Sequence, residues 1–297
     1  MTMTTTSVTR LLCENPSPMT LEGTTTYLLA GEDAVAVVDP GPAGHPEHLE
    51  AILSALGKRR VTQILVTHRH RDHTGAASVL AQRTGAPVRG ADPEQCLPGA
   101  DSLTPAPLTH GERLDLGGAV AEVVHTPGHT SDSICLFLPR AQVVDETGDD
   151  RLGHVTPEPA AMMLTGDTIL GRGTTMLDHP DGTLTDYLTS LDRLAQLGDR
   201  QKDQHRLGHG DVLMLPAHGP ARPSLAESAR AYLAHRHERL DQVRALLAEA
   251  RPFSPDGEAD PEALGRILYG EHSTLPPRVT TKIAAAQLDH LRHLGEL

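Results

Sequence analysis

Aromatic residues and cysteines are few in this sequence. Its 297 residues include no tryptophan, two phenylalanines and four tyrosines, which leaves few side chains that could stack on unpaired nucleic-acid bases. The three cysteines, Cys13, Cys96 and Cys135, form no CxxC pair, so a disulfide framework is not expected. We therefore predict that the cysteines serve in packing and that the protein works in a reducing compartment, the cytoplasm.

Positive charge and long apolar runs are also scarce. The 26 Lys and Arg residues face 39 Asp and Glu residues, and the formal charge of −13 gives no general attraction to nucleic acid or anionic membranes. No apolar run approaches the roughly 18 residues that span a bilayer. The first ten residues, MTMTTTSVTR, also lack the apolar segment of a secretion signal. We predict a cytoplasmic protein with no membrane partner.

Apolar runs and amphipathic stretches alternate along the chain, which predicts an α/β fold. Predicted strands cover 24–31, 34–41, 61–68, 119–130, 133–138, 161–167 and 211–219. Leucines and an isoleucine at helical spacing predict a helix over 45–57, and a second is predicted over 183–198. The composition changes after His218, and three further helices are predicted beyond it. We therefore divide the chain into a catalytic domain, 1–223, and a helical appendage, 224–297.

The abundant residue is histidine, with 18 copies, and the densest group follows the predicted strand at 61–68. Within HRHRDHTG, four potential metal ligands occur in six residues: His68, His70, Asp72 and His73. A helix could not bring all four to one face, whereas an irregular loop at a strand end can. Imidazole together with carboxylate suits zinc, or iron and manganese.

Three more residues of this type follow other apolar runs. His129 in TPGHTSDS, Asp167 in LTGDT and His218 in PAHGP each lie beside a glycine, which permits close approach of the backbone to a ligand. Four separate strand ends with such residues predict a metal site rather than solvated loops. Thr174 and Thr175, after Gly171 and Gly173, are candidates for binding substrate through their hydroxyls, although the same residues could form a tight turn.

In their order along the chain, these motifs resemble those of the metallo-β-lactamase superfamily. The five matches are Asp39 in VVDPG, the HxHxDH motif at 68–73, His129, Asp167 and His218, and they cover residues 20–220. Finer matches resemble the branch named beta-lactamase-like protein 2. They are GDTILGRGTT at 166–175, PAHGP, and YLAHRHER in a predicted helix at 232–239.

The resemblance implies a four-layer αββα sandwich with a small helical, winged-helix-like appendage, and it implies two metal ions, expected to be zinc, with iron or manganese possible. By position, the first metal would be bound by His68, His70 and His129, and the second by Asp72, His73 and His218. Asp167 would bridge the two metals. Asp72 and Asp167 are the expected catalytic residues, and Asp39 is expected to support the 68–73 loop by accepting a hydrogen bond from an imidazole or the backbone.

The implied activity is hydrolysis by a metal-held hydroxide, most simply of a small acyl substrate such as a thioester, lactone or other ester. The sequence has neither the GxSxG motif of serine hydrolases nor a GxxxxGK[ST] phosphate loop. A second hypothesis is a single-strand endoribonuclease, because residues 221–297 carry a net charge of only −1, against −12 for the rest. A mononuclear iron oxygenase is a third, although it would leave the second ligand set underused. The helical appendage could also form a homodimer.

Overall fold

The computed structural model describes residues 4–92, 94, 106–144, 149–155, 158–204, 211–250, 252, 254, 257–270 and 275–297. The strands in these ranges are β1 (Thr6–Leu12), β2 (Thr25–Ala30), β3 (Ala34–Val38), β4 (Arg60–Leu65), β5 (Val88–Arg89), β6 (Arg113–Asp115), β7 (Val120–His125), β8 (Ile134–Val143), β9 (Ala160–Gly166) and β10 (Leu213–Pro216). The helices are α1 (Pro46–Leu56), α2 (Arg71–Thr74), α3 (Ala77–Thr84), α4 (Leu184–Gln204), α5 (Leu225–Glu249), α6 (Pro261–Tyr269) and α7 (Pro277–His293).

Strand β1 joins the two halves of the sheet. The strand order is β10-β9-β8-β1-β2-β3-β4-β5, with β7 also paired to β8 and β6 to β7. β1 is antiparallel to β2 along most of its length, but it pairs with β8 over three residues only, Thr6–Val8. Side chains from both halves, including Val38 of β3 and Leu136 of β8, pack in one buried cluster. The two halves therefore face each other across a shared core.

Alternation of side chains along the strands places helices on both outer faces. Val37, next to Val38, points away from the shared core and packs with Ile52 of α1. On the other half, Cys135, next to Leu136, packs in the cluster that contains α4 and the three C-terminal helices. The layers run helix, sheet, sheet, helix, which confirms the predicted αββα sandwich.

Helices α5–α7 belong to the same buried cluster as α4 and the outer face of the sheet. Leu240 of α5, Leu264 of α6 and Leu288 of α7 share one buried cluster with Met163 of β9. The side chain of Ser224 accepts a hydrogen bond from the backbone of Glu227 and caps α5 at its start. The described part of the C-terminal region is helical, as predicted, and no helix in the described ranges combines the length and apolarity required to cross a bilayer.

Strand β1 was not among the strands predicted from the sequence. Its residues, TSVTRLL, lack an apolar run because two of the inward side chains are polar, Thr6 and Arg10. The guanidinium of Arg10 is satisfied inside the protein by donating to the carbonyl oxygens of Leu152 and Gly153, at 2.6 and 3.1 Å. These acceptors are distant in sequence, so the alternation pattern by itself could not indicate a buried strand.

Candidate metal centre

The seven predicted ligands and Asp39 all follow the ends of strands at one edge of the sandwich. Asp39 follows β3, the 68–73 loop follows β4, and His129 lies just beyond β7. Asp167 and His218 follow β9 and β10. Because β3 is parallel to β4, and β9 to β10, these polar turns emerge at the same side, and the structure brings all seven ligands together in two groups.

The first group contains three histidines whose ring nitrogens converge. Nδ1 of His70 lies 3.0 Å from Nε2 of His68 and 3.0 Å from Nε2 of His129, and the two Nε2 atoms are 3.3 Å apart. Oδ2 of Asp167 lies 3.9 and 3.7 Å from the nitrogens of His68 and His129. Nitrogens held about 2.1 Å from a tetrahedral ion lie about 3.4 Å apart, so this spacing fits a metal ligand set.

The second group lies on the other side of Asp167. Oδ2 of Asp72 is 3.5 Å from Nε2 of His73 and 3.3 Å from Nε2 of His218. Oδ1 of Asp167 is 3.5 and 3.3 Å from the same two nitrogens. Asp167 therefore turns one carboxylate oxygen toward each group, as a ligand shared by two ions would.

Asp39 contacts the loop that carries the histidines. Its Oδ2 lies 2.9 Å from Nδ1 of His73 and accepts the hydroxyl hydrogen of Thr67 at 2.8 Å. Its Oδ1 accepts the backbone N–H of Thr67 at 2.8 Å. Thr67 Oγ1 in turn lies 3.1 Å from Nδ1 of His68. In both His68 and His73, an acceptor next to Nδ1 keeps the proton on that nitrogen and leaves Nε2 free to bind a metal ion.

Backbone carbonyl groups do the same for two other histidines. Nδ1 of His129 lies 2.6 Å from the carbonyl oxygen of Met176, and Nδ1 of His218 lies 3.0 Å from that of Gly23. Gly23 has φ of +139°, and a Cβ there would meet the carbonyl oxygen of Cys13 at 1.9 Å, so only glycine fits. Neither carbonyl could be found from the sequence, because main-chain acceptors carry no residue signature.

Asp178 is a further residue of the site that the sequence analysis missed. Its Oδ2 lies 3.5 Å from Nε2 of His70 and accepts a hydrogen bond from Arg69 at 2.7 Å. Its Oδ1 accepts one from Lys282 of α7 at 2.9 Å. Burial raises the pKa of Asp178, but Lys282 and Arg69 lower it more, so it is well below its usual range. Asp178 is thus a carboxylate that connects α7 to the first ligand group.

Polar atoms of the second group are buried without partners. Nε2 of His73, Nε2 of His218 and Oδ1 of Asp167 have no hydrogen-bond partner in the described structure. Buried polar atoms are almost always satisfied, and these three point toward one another. A bound cation would satisfy all three, so the residues present fit a metal ion.

The pKa values of the second group follow from its carboxylates. Burial lowers the pKa of His73, but Asp167, Asp72 and Asp39 raise it more, and it lies well above the usual value. Burial also lowers the pKa of His218, but Asp167 and Asp72 raise it to about 9. Without metal, both imidazoles are therefore protonated at neutral pH.

In the first group the pKa values move in the opposite direction. Burial, with the neighbouring His73 and His129, lowers the pKa of His68 well below its usual value. Burial also lowers the pKa of His129 to about 4, although Asp167 opposes this shift. These two imidazoles are neutral at pH 7 and can accept a metal ion without losing a proton.

We expect metal binding to release more protons from the second group than from the first. At about pH 7, a His218→Gln variant should release at least about one proton fewer per protein than the wild type on zinc titration, because ligation requires neutral imidazole. The contribution of His218 to this difference should vanish at about pH 10, since His218 loses its proton to solvent as the pH rises through about 9. Calorimetry in buffers of different ionisation enthalpy measures this number, and an equal release from both proteins at pH 7 would contradict it.

The two candidate substrate threonines lie in different environments. Thr174 is exposed and lines a cavity of about 320 Å³ that reaches His129 and Asp167. Thr175 lines the same cavity, but it is buried, and its hydroxyl donates to the carbonyl oxygen of Asp167 at 2.8 Å. That hydroxyl therefore holds the Asp167 turn.

Two of the three cysteines lie within the described residues. Cys13 and Cys135 are both fully buried, as predicted for packing residues, and burial raises the pKa of each thiol to about 11. Both thiols are protonated at neutral pH and are poor nucleophiles. Cys96 lies outside the described residues.

Comparison with known proteins gives consistent similarities. Residues 19–144 match the sequence profile of the Metallo-beta-lactamase superfamily. The lactamase-like protein vrtG of Penicillium aethiopicum is 31% identical over 271 residues, which covers 89% of this chain and 74% of that protein. A beta-lactamase-like protein 2 homolog of Drosophila melanogaster is 27% identical, and the match covers 100% of this chain and 89% of that protein. A solved metallo-beta-lactamase family protein of Thermus thermophilus superposes with a TM-score of 0.69 at 25% identity, covering 97% of this chain and 94% of that one.

Proposed function

This chain belongs to the metallo-beta-lactamase superfamily of metal-dependent hydrolases, and from that premise we propose that it uses two zinc ions to hydrolyse a small acyl substrate, a thioester, lactone or other ester. In this proposal the first ion is held by His68, His70 and His129, and the second by Asp72, His73 and His218. Asp167 is shared by both ions.

The observation that carries the proposal is the position of the Asp167 carboxylate. Its Oδ1 lies 3.3 Å from Nε2 of His218 in the second group, and its Oδ2 lies 3.7 Å from Nε2 of His129 in the first. A single iron centre would need only one of these groups. The second group is complete, and Nε2 of His73, Nε2 of His218 and Oδ1 of Asp167 are buried there without hydrogen-bond partners among the described residues. This arrangement supports two ions rather than one.

Two divalent ions held by these residues would supply activation of water and stabilisation of the negative charge that develops on oxygen. Burial raises the pKa of Asp72, but His73 and His218 lower it to about 2, so its carboxylate can accept a hydrogen bond from the attacking water at neutral pH. The described residues that line the cavity include no serine or cysteine. We therefore propose direct attack by water, without an acyl-enzyme.

The cavity beside the site supports a small substrate. Its volume of about 320 Å³ is near the lower end for small-molecule pockets, roughly 300–1,000 Å³. Leucine, isoleucine, valine and methionine side chains form much of its wall, among them Leu21, Leu170 and Ile283. One tyrosine, Tyr269, lines it, whereas single-stranded RNA is usually bound by several aromatic platforms. These features favour the acyl substrate over RNA.

The test offers thioesters, lactones, aryl esters and labelled single-stranded RNA to the zinc-loaded protein, to the chelator-treated protein and to an Asp192→Asn control. Asp192 lies on the exposed side of α4 and outside the cavity lining. We expect hydrolysis of acyl substrates by the loaded wild type and the control, none without metal, intact RNA, and about two zinc ions per chain by elemental analysis. Cleavage of RNA alone, falling steeply with salt, would replace the proposal by the ribonuclease hypothesis. If elemental analysis gave one iron ion per chain and the protein consumed oxygen, the mononuclear iron oxygenase hypothesis would replace the proposed function.

A further inference from the structure

The cavity beside the metal centre has a cationic wall within an acidic protein. Its floor includes His129 and Asp167, and the opposite side is formed by α5, α6 and α7. The whole chain has a formal charge of −13, yet the lining contains three arginines against one carboxylate, Asp167. In the proposed function that carboxylate is committed to the metals. The local charge is therefore opposite to that of the molecule.

Arg236 of α5 is the most buried of these cations. It is 8% exposed, and its guanidinium lies 5.1 Å from the centre of the Tyr187 ring. One Nη2–H bond goes to the carbonyl oxygen of Thr175, while Nε is buried and has no hydrogen-bond partner in the described structure. No carboxylate among the described residues lies within ion-pair distance of it. A buried charge with an unused donor indicates a missing anionic partner.

A second arginine lines the same cavity. Arg239, one turn along α5, is half-buried with its guanidinium 5.4 Å from the centre of the Tyr269 ring. It donates to the side chain of Gln242 and, within the described ranges, has no carboxylate partner. Arg172 also lines the cavity, but it is paired with Glu22 and is therefore not part of this group.

From these contacts we propose that Arg236 and Arg239 form a subsite for a carboxylate of the substrate. The substrate class is then an acyl ester or thioester whose apolar acyl part ends in a carboxylate. Planar guanidinium groups match carboxylate geometry, and the apolar side chains of α7, Val279 and Ile283, line the same cavity and suit the acyl part. This inference deepens the proposed function and rests on it.

The subsite is connected to the metal centre through one residue. Arg236 donates to the carbonyl oxygen of Thr175, and the Thr175 hydroxyl donates to the carbonyl oxygen of Asp167. A carboxylate bound to Arg236 would therefore lie in the same cavity as Asp167. The apolar surroundings strengthen such a charged hydrogen bond relative to water.

The first test uses two thioesters with the same acyl chain, one ending in a carboxylate and one in the primary amide. We expect wild-type kcat/KM to be higher for the carboxylate by about tenfold or more, and Arg239→Gln to bring this ratio toward one. The matched control is Arg230→Gln on the same helix, where Arg230 is exposed and paired with Asp199. It should keep the wild-type ratio. Equal kcat/KM values for the two thioesters in the wild type would overturn the subsite. So would a preference for the carboxylate thioester that survives in both Arg239→Gln and Arg236→Gln. If Arg236→Gln does not fold, the result for Arg239→Gln alone tests the subsite.

A binding measurement separates the subsite from the proposed function. If neither thioester is hydrolysed, the proposed function fails, but the metal-free wild-type protein can still be titrated with the corresponding dicarboxylate and its monoamide. The dicarboxylate should bind about tenfold or more tightly, and Arg239→Gln should remove that difference while Arg230→Gln keeps it. Equal affinities in the wild type would overturn the subsite independently of any activity.

Discussion

Replacement of Asp167 by asparagine is expected to lower acyl hydrolysis by at least about 1,000-fold, which corresponds to about 4 kcal/mol of transition-state stabilisation. Asparagine has nearly the same shape, but it has one acceptor oxygen and no charge. The native carboxylate turns Oδ1 toward His73 and His218 and Oδ2 toward His68 and His129. Whichever way the amide turns, one ligand group loses its shared oxygen and meets an N–H hydrogen instead.

The metal content of this variant provides a readout that does not depend on the substrate. Elemental analysis after dialysis should give about one zinc ion or fewer, against about two in the wild type. The Asp192→Asn control, on the exposed side of α4, should retain both its metal and its activity. If Asp167→Asn kept more than about a tenth of the activity with full metal content, a shared carboxylate would not be part of the mechanism.

Replacement of Asp39 by asparagine should weaken both the metal site and the fold. The buried carboxylate accepts hydrogen bonds from the N–H and hydroxyl of Thr67 and faces Nδ1 of His73 at 2.9 Å. An amide N–H in place of Oδ2 would oppose the proton on Nδ1. The neutral ring that ligation requires would then carry its proton on Nε2, the atom that faces the ligand group. We expect metal affinity to fall by about 10–100-fold and the free energy of unfolding of the metal-free protein by about 3 kcal/mol.

Asparagine is the informative substitution because of the backbone at this position. Asp39 has φ of +50°, in the left-handed region that asparagine tolerates well and alanine does not. The loss in Asp39→Asn therefore reports on the side-chain acceptor rather than on strain. Denaturant unfolding and zinc titration measure the two effects, with Asp33→Asn in the exposed turn before β3 as the control. Unchanged zinc affinity in Asp39→Asn would show that the tautomer of His73 is set by other contacts.

The pattern of apolar runs ending in polar turns predicted most of the fold. Strands β2, β3, β4, β7, β8, β9 and β10 and helices α1 and α4–α7 lie where that pattern places them. Strand β1 does not follow it, because Arg10 and Thr6 are buried and polar. Arg10 is satisfied by carbonyl oxygens far along the chain, a separation of 142 residues for Leu152. Propensity and periodicity describe neighbours along the chain, so a strand that depends on such distant partners is not visible to them.

The sequence by itself determined which residues are candidate ligands and in what order they occur. Histidine and aspartate beside glycine at strand ends are local features, and their chemistry depends on residue type alone. Only the tertiary structure decided which atoms meet. The carbonyl oxygens behind His129 and His218 and the contact of Asp178 with Lys282 join distant segments. The resemblance implied the division of the ligands into two groups, and the structure shows which of their atoms meet. The same holds for the C-terminal helices. Their sequence predicts that they form, but only their packing against α4 and one another makes Arg236 and Arg239 part of the wall of a cavity.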